Sequence, residues 1–195
     1  MGNLMLRWRT RTAERDRIAN SLYDAIVAQA REAVFYREGQ VPDTMEGRIE
    51  MIMLHVAILL ERLKTEGNSG QRVGQRVMEN FVAEMDDALR QIGIGDMGVP
   101  HRVKRAAAAL GERCRDYQGA LSPSPAVDAS RGDPLAAALA RHIYASAPVA
   151  GTAHPVVPLA AYVRGASQAL AAWPSEALLD GRIELPQPQP AAFAV

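Results

Sequence analysis

Between residues 45 and 63 the apolar side chains Met45, Ile49, Ile52, Val56, Leu59 and Leu63 recur at alternating steps of four and three, which gathers them on one face of a helix. Met51, Met53, Leu54, Ile58 and Leu60 widen that stripe until most of the circumference is apolar. Such a helix is stable only when protein surrounds it, so the rest of the chain is expected to pack helices around it. Asp43-Thr-Met-Glu46 supplies a start signal, with Asp43 as the N-cap and Glu46 closing a capping box. Gly67 to Gly70 supplies the stop. The longest apolar run, Met51 to Leu60, is far too short to span a bilayer.

The same periodicity organises the flanking segments. A first helix is expected from about Arg11 to Glu38, with a break near Ala33, since Ile18, Leu22, Ala25, Ile26 and Gln29 share a face. Gly39 ends it, and Val41-Pro42 forces an extended link, because the residue before proline is pushed out of the α region. A third helix is expected over about Gln71 to Ile92, with Phe81 and Met85 inward and Gly93 as a left-handed cap. The next starts at Pro100 and reaches Leu121, placing Val103, Ala107, Leu110, Cys114 and Tyr117 on one stripe. Residues 122–134 read as a linker or surface loop. Two further helices are expected, Pro134 to about Ala147 and Leu159 to Trp173, then a short turn of helix ending at Gly181. Arg182-Ile-Glu-Leu185 is the one stretch with strand-like alternation, and residues 186–195, with three prolines, read as a disordered tail. The fold expected is all-α: a bundle of about six to seven helices with a disordered Pro-rich C-terminal tail. Its parts are a basic amphipathic segment (1–17), a helical domain (18–121), the linker (122–134), a C-terminal helical extension (135–185) and the tail (186–195).

Motifs for chemistry fail on context. Gly93-Ile-Gly95-Asp-Met-Gly98 fits the G-x-G-x-x-G pattern of dinucleotide sites. That loop needs a strand before it, whereas here a helix precedes, and Asp96 would set a negative charge where phosphate belongs. His55, His101, His142 and His154 have no metal-ligand spacing. His55 falls within an apolar run and reads as a buried histidine bonded to a backbone or side-chain acceptor. Cys114 lies on a core stripe and reads as a small hydrophobe, and a single cysteine excludes an internal disulfide. Glu84, Asp86 and Asp87 are expected to pair with Arg48 or with the basic residues His101, Arg102, Lys104 and Arg105, or to form a solvated face. No metal, no cofactor and no catalytic residue is expected.

A formal net charge of +0 gives no bulk electrostatic case for nucleic acid, and DNA is not expected as a partner. Charge is instead local. Leu6, Arg7, Trp8, Arg9 and Arg11 mix cations with apolar side chains, which leaves two readings: contact with an anionic membrane surface, or a frayed, solvated helix start. Arg102, Lys104, Arg105, Arg113 and Arg115 form a second patch, suited to lipid headgroups, ribosomal RNA or an acidic partner, or equally to an ordinary exposed helix face.

The polar punctuation between Leu22 and Leu121 carries a family resemblance. Leu22-Tyr-Asp-Ala-Ile-Val-Ala-Gln-Ala-Arg31, Phe35-Tyr36, Val41-Pro-Asp-Thr-Met-Glu-Gly-Arg-Ile-Glu-Met-Ile-Met-Leu-His55, Arg62-Leu63, Met85-Asp-Asp-Ala-Leu-Arg-Gln-Ile-Gly-Ile-Gly-Asp96, Val99-Pro-His-Arg-Val-Lys104, Tyr117 and Ala120-Leu121 follow in order. Together they resemble the ubiquinol–cytochrome c chaperone family, which includes the mitochondrial chaperone for cytochrome b assembly and bacterial relatives; the Ala/Arg-rich composition favours a bacterial member. The resemblance implies a non-enzymatic assembly factor for the ubiquinol–cytochrome c oxidoreductase (bc1) complex. Its implied partner is newly synthesised cytochrome b, with a small partner protein and the ribosome as further partners. The implied location is cytoplasmic, peripheral at the inner face of the cytoplasmic membrane, or the matrix side of the mitochondrial membrane in a eukaryote. Candidate client or partner contacts are Asp43, Arg48, Met51, His55, Asp96, Arg102 and Lys104; helix capping and pairing within the fold is the competing reading of the same side chains. Two other functions are weighed beside it: a ribosome-associated adaptor, and a small helical enzyme handling haem or quinone.

Overall fold

The computed structural model describes residues 2–91, 99–122, 132–145 and 155–193, with side chains from Thr12 to Ala88 and from Lys104 onward within those spans. The described residues form helices joined by turns and extended links, with no strand among them. Met51 to Leu59 of α3 (Met45–Lys64) is buried without a gap, so every side of the helix meets protein, as its apolar circumference requires. Its neighbours are α1 (Gly2–Ala30), α4 (Gly67–Gln91), α5 (Val99–Leu121) and α7 (Val156–Ala171). α6 (Pro134–His142) bridges α5 and α7. The expected C-terminal extension thus closes the fourth side of the central helix. Without it, α3 would present apolar surface to water.

Several boundaries differ from expectation. α1 starts well before Arg11, and the break falls at Arg31-Glu32, after which α2 (Ala33–Arg37) adds a short turn. Tyr36 stabilises that break by donating its hydroxyl to the Ala30 carbonyl at 2.7 Å. The cap of α3 is Thr44, not Asp43: Thr44 Oγ1 accepts from the Gly47 amide at 3.1 Å, and the capping box does not form. α4 begins at Gly67 rather than Gln71. Gly67 takes φ +58, and a Cβ on Gly70 would sit 2.0 Å from the Leu63 carbonyl oxygen, so the glycines expected to stop one helix also start the next. α6 ends at His142 instead of reaching Ala147, and α7 starts at Val156. Asp133 caps α6 as expected, accepting from the Leu135 amide at 3.0 Å.

The C-terminal segment is the largest departure. Residues 182–189, with no strand, run as an extended strap after α8 (Ser175–Leu179), and α9 (Pro190–Phe193) ends on the buried Phe193. The Phe193 ring meets Phe35 edge-on at 6.3 Å between centroids. Up to Phe193 the tail expected to be disordered is therefore anchored. Its prolines reduce the entropy lost on ordering, and one aromatic side chain buried in the core offsets the rest. Residues 194–195 lie outside the described span.

Two buried polar groups fix how these helices sit. His55 is fully buried; its Nδ1 lies 2.8 Å from the Met51 carbonyl and its Nε2 2.9 Å from the Tyr162 hydroxyl. A carbonyl only accepts, so Nδ1 carries the proton and Nε2 accepts from Tyr162. Gln29 in turn donates from Nε2 to the Tyr162 oxygen and to the Pro186 carbonyl, both at 3.0 Å. One directional chain thus links α1, α3, α7 and the strap. Arg62, at the far end of α3, donates to the Leu170 carbonyl at 2.8 Å, the Trp173 carbonyl at 2.9 Å, and Glu66. Glu66 also accepts from Ser175 at 2.7 Å, and these bonds from Ser175 and then Arg62 lower its pKa.

Burial lowers the His55 pKa from 6.5 to about 4, so the ring is neutral in the fold. The unfolded chain takes up the proton first; the contribution of neutral His55 is therefore complete above pH 6.5 and lost as pH falls to about 4. Urea titrations across that window should show the native protein losing about 3 kcal/mol that a His55→Gln variant does not lose; equal acid slopes would contradict the assignment. Arg62→Leu should cost about 3 kcal/mol by stranding the Leu170 and Trp173 carbonyls and Glu66. Amide exchange should then accelerate first in the last turn of α7.

Candidate functional site

A groove opens where the link into α3 passes the ends of α1 and α4. Its formation depends on Gly47, because a Cβ there would lie 2.0 Å from the Pro42 carbonyl oxygen. The link can cross the first turn of α3 only over a glycine. With Thr44 serving as the cap, Asp43 is left to pair with Arg48, whose Nε and second terminal nitrogen lie 2.7 and 2.6 Å from its Oδ1. The Arg48 guanidinium also sits over the Tyr36 ring, 5.3 Å from the centroid.

On the opposite rim Glu84 of α4 accepts from the Tyr23 hydroxyl at 2.5 Å and from Arg31 at 3.0 Å. Burial, and then the bond to Glu84, raise the Tyr23 pKa, so the phenol remains a donor. Between the rims lies an apolar floor of Ile49, Ile52, Met85 and Ala88, with Met45 42% exposed at the mouth. The cavity measures about 470 Å³. Ion pairs as exposed as these contribute about 0–1 kcal/mol each, so an incoming chain could exchange them at little cost. The arrangement suits an apolar side chain flanked by charges of either sign.

The structure distributes the expected contact residues unevenly. Asp43 and Arg48 stand together on the groove rim. Met51 and His55 do not face it: both are fully buried, and their atoms serve the core and the Tyr162 chain described above. Lys104 is exposed on α5 and does not line the groove. Asp96 lies outside the described residues, as do the side chains of Arg102 and of Leu6, Arg7, Trp8, Arg9 and Arg11 on otherwise helical backbone. The acidic cluster of α4 does not pair with Arg48; Glu84 takes Arg31 instead. Arg31, Glu84, Ile49, Ile52, Met45 and Met85 were not anticipated as one site, since they come from the turn after α1 and from α3 and α4, with no local spacing to join them. Burial pushes the Cys114 thiol up to about 11, consistent with a small, partly buried apolar side chain. Among the described residues no histidine, cysteine and carboxylate cluster could hold a metal ion, and no helix is long and apolar enough to cross a membrane.

Fold and groove together define an all-α bundle closed around one central helix, with a charge-rimmed cleft open at one end. Residues 37–185 match the model of the ubiquinol-cytochrome C chaperone family, and the chain belongs to that family. The match runs through the segment set apart as a C-terminal extension, which agrees with its place against α3. The crystal structure of the Cbp3 homolog from Brucella abortus is similar over nearly the whole chain: 35% identity, a TM-score of 0.78, and coverage of 94% of this chain and 97% of that one. Curated proteins give no match to the sequence.

Gly47→Ala should destabilise the fold by about 2 kcal/mol or more through overlap with the Pro42 carbonyl. Gly119→Ala, where an added Cβ meets nothing within 4 Å, should stabilise it by up to about 1 kcal/mol. Opposite signs in paired urea melts would establish that the loop crossing, and not helix propensity, governs position 47.

Proposed function

We propose that this protein is a non-enzymatic assembly chaperone for the ubiquinol–cytochrome c oxidoreductase (complex III), that its client is newly made cytochrome b, and that the groove is a contact for client or partner. One observation carries the reading of the groove. Three stretches that bear the family resemblance, 22–31, 41–55 and 85–96, are distant in sequence, yet Arg31, Asp43 to Ile52 and Met85 converge on it. Packing of α3 alone would not require Asp43, Arg48, Arg31 and Glu84 to meet around an apolar floor. Flexible methionines at such a floor suit a client whose side chains vary along its length. The reading places the protein at the inner face of the membrane, with Leu6, Arg7, Trp8, Arg9 and Arg11 resting on anionic lipid.

A clean deletion should lower haem b absorbance in reduced-minus-oxidised membrane spectra and abolish most quinol–cytochrome c activity, leaving other respiratory complexes in place. Wild-type protein supplied in trans should restore both. An Arg31→Glu, Arg48→Glu double variant, folded and expressed at the native level, should bind client roughly thirtyfold more weakly, about 2 kcal/mol, and restore little. Unchanged haem b and quinol oxidation in the deletion strain would refute the chaperone reading. Full rescue by the double variant would refute the groove alone.

A further inference from the structure

Arg31 and Asp43, which both line the client groove, are the two ends of one excursion of the chain. Between them run the turn at Glu32, α2 and the link through Val41 and Pro42. This excursion has two sides. Toward the groove, Tyr36 lies under the Arg48 guanidinium at 5.3 Å, and its hydroxyl donates to the Ala30 carbonyl, one residue before Arg31. Toward the interior, Phe35 is fully buried among the rings of Tyr162 at 4.8 Å, His55 at 5.7 Å and Phe193 at 6.3 Å. The Phe193 ring also packs on Gly39, where an added Cβ would lie 3.2 Å from its Cε1.

The backbone beyond Gly39 is strained. Gln40 has a φ of 53°, a left-handed conformation that a residue with a Cβ adopts only at a cost. Bonds on both sides hold it there. The Gly39 amide donates to the Val34 carbonyl at 2.9 Å, and the Gly39 carbonyl accepts from the Tyr144 hydroxyl at 2.7 Å. The Val41 amide donates to the Phe35 carbonyl at 3.0 Å. Each of these bonds involves Phe35 or Gly39, the two residues on which Phe193 packs. Phe193 itself has no rigid element behind it. Gln189 to Ala192 are all exposed, and a cavity of about 350 Å³ lies between α1 and residues 183–187 of the strap. Gln29 holds the strap at the Pro186 carbonyl, and the ring's own burial holds its end.

We infer that Phe193 is a positioning residue for the client groove and that the strap is its latch. Seated on Phe35 and Gly39, the ring keeps α2 and the link in the arrangement that sets Tyr36 beneath Arg48 and Asp43 beside it. With the ring withdrawn, Gln40 relaxes toward ordinary backbone and the rim from Arg31 to Arg48 loses its alignment. The inference rests on the client-groove reading for what the rim contacts, and on packing alone for what Phe193 holds. A plug that served only stability would support the bundle evenly; this one acts on the single segment that joins two rim residues.

The test is residue-resolved amide exchange on the full chain. Phe193→Ala should lower protection about tenfold or more at Gly39, Val41 and Gly47, and far less along the buried ladder of α4. Val73→Ala, a core truncation at the end of α4 away from the groove, should lower protection across the bundle without singling out that segment. Phe193→Leu keeps an apolar plug and should retain most of the protection, and it reports the same contrast should the alanine variant fold poorly. Unchanged protection at Val41 in both Phe193 variants, or a loss spread evenly over all helices, would overturn the inference. In the deletion strain, Phe193→Ala at the native level should restore markedly less haem b than wild type; full rescue would overturn it as well. Where the deletion itself leaves haem b unchanged, the chaperone reading fails, and the exchange contrast still decides whether Phe193 holds the link.

Discussion

Nine consecutive residues of α3, Met51 to Leu59, are buried, and a helix buried at every angle needs a neighbour on every side. That requirement sets the order of the whole bundle. α1 and α4 cover one part of the circumference, α5 another, and α7 the remainder, although α7 comes more than ninety residues later in the chain. The peripheral helices can accordingly be amphipathic and ordinary. α4 closes its side of the core with the ladder from Val73 to Met85, while Asn80 and Glu84 bond it to α1.

An apolar helix in an apolar shell has little to define its rotation or its axial position. His55 and Arg62 supply that definition from inside the core, one at the middle of the helix and one in its last turn. Both satisfy their hydrogen bonds only if α7 lies at one height, and Gln29, bonded to the same Tyr162 hydroxyl, ties the strap to that arrangement at Pro186. Buried polar groups of this kind add little net stability, because their desolvation offsets their bonds. What they penalise is every alternative packing in which those bonds are missing.

The helices were legible because their stripes are long and regular; the site was legible only in part. Central placement of residues 45–64 follows from apolar circumference alone. The identity of its cap did not, since Asp43 and Thr44 are both good caps and the choice turns on the Pro42 carbonyl crossing Gly47. Asp43 and Arg48 announce themselves by proximity in sequence. Arg31 and Glu84 lie fifty-three residues apart and meet only through the packing of α1 on α4. His55 and Met51 looked like groove residues because they share the apolar run, but that run is apolar all round and their sector faces α7 and the core. Phe193 gave no periodic signal at all. A single aromatic residue after three prolines and two glutamines reads as disorder until a pocket beside Phe35 is known to exist.

That last contact joins the two ends of the chain. Gly181 lies against Ser21 and Ile18 of α1, Arg17 reaches the Asp180 carbonyl at 3.3 Å, and Phe193 closes over Phe35. During synthesis the first helix and the central one emerge long before the residues that seal them. The native core therefore cannot close segment by segment as the chain leaves the ribosome. Until residue 193 is free, Phe35 and its surroundings lack their cover, so apolar surface that the finished fold buries stays open to water until synthesis is nearly complete.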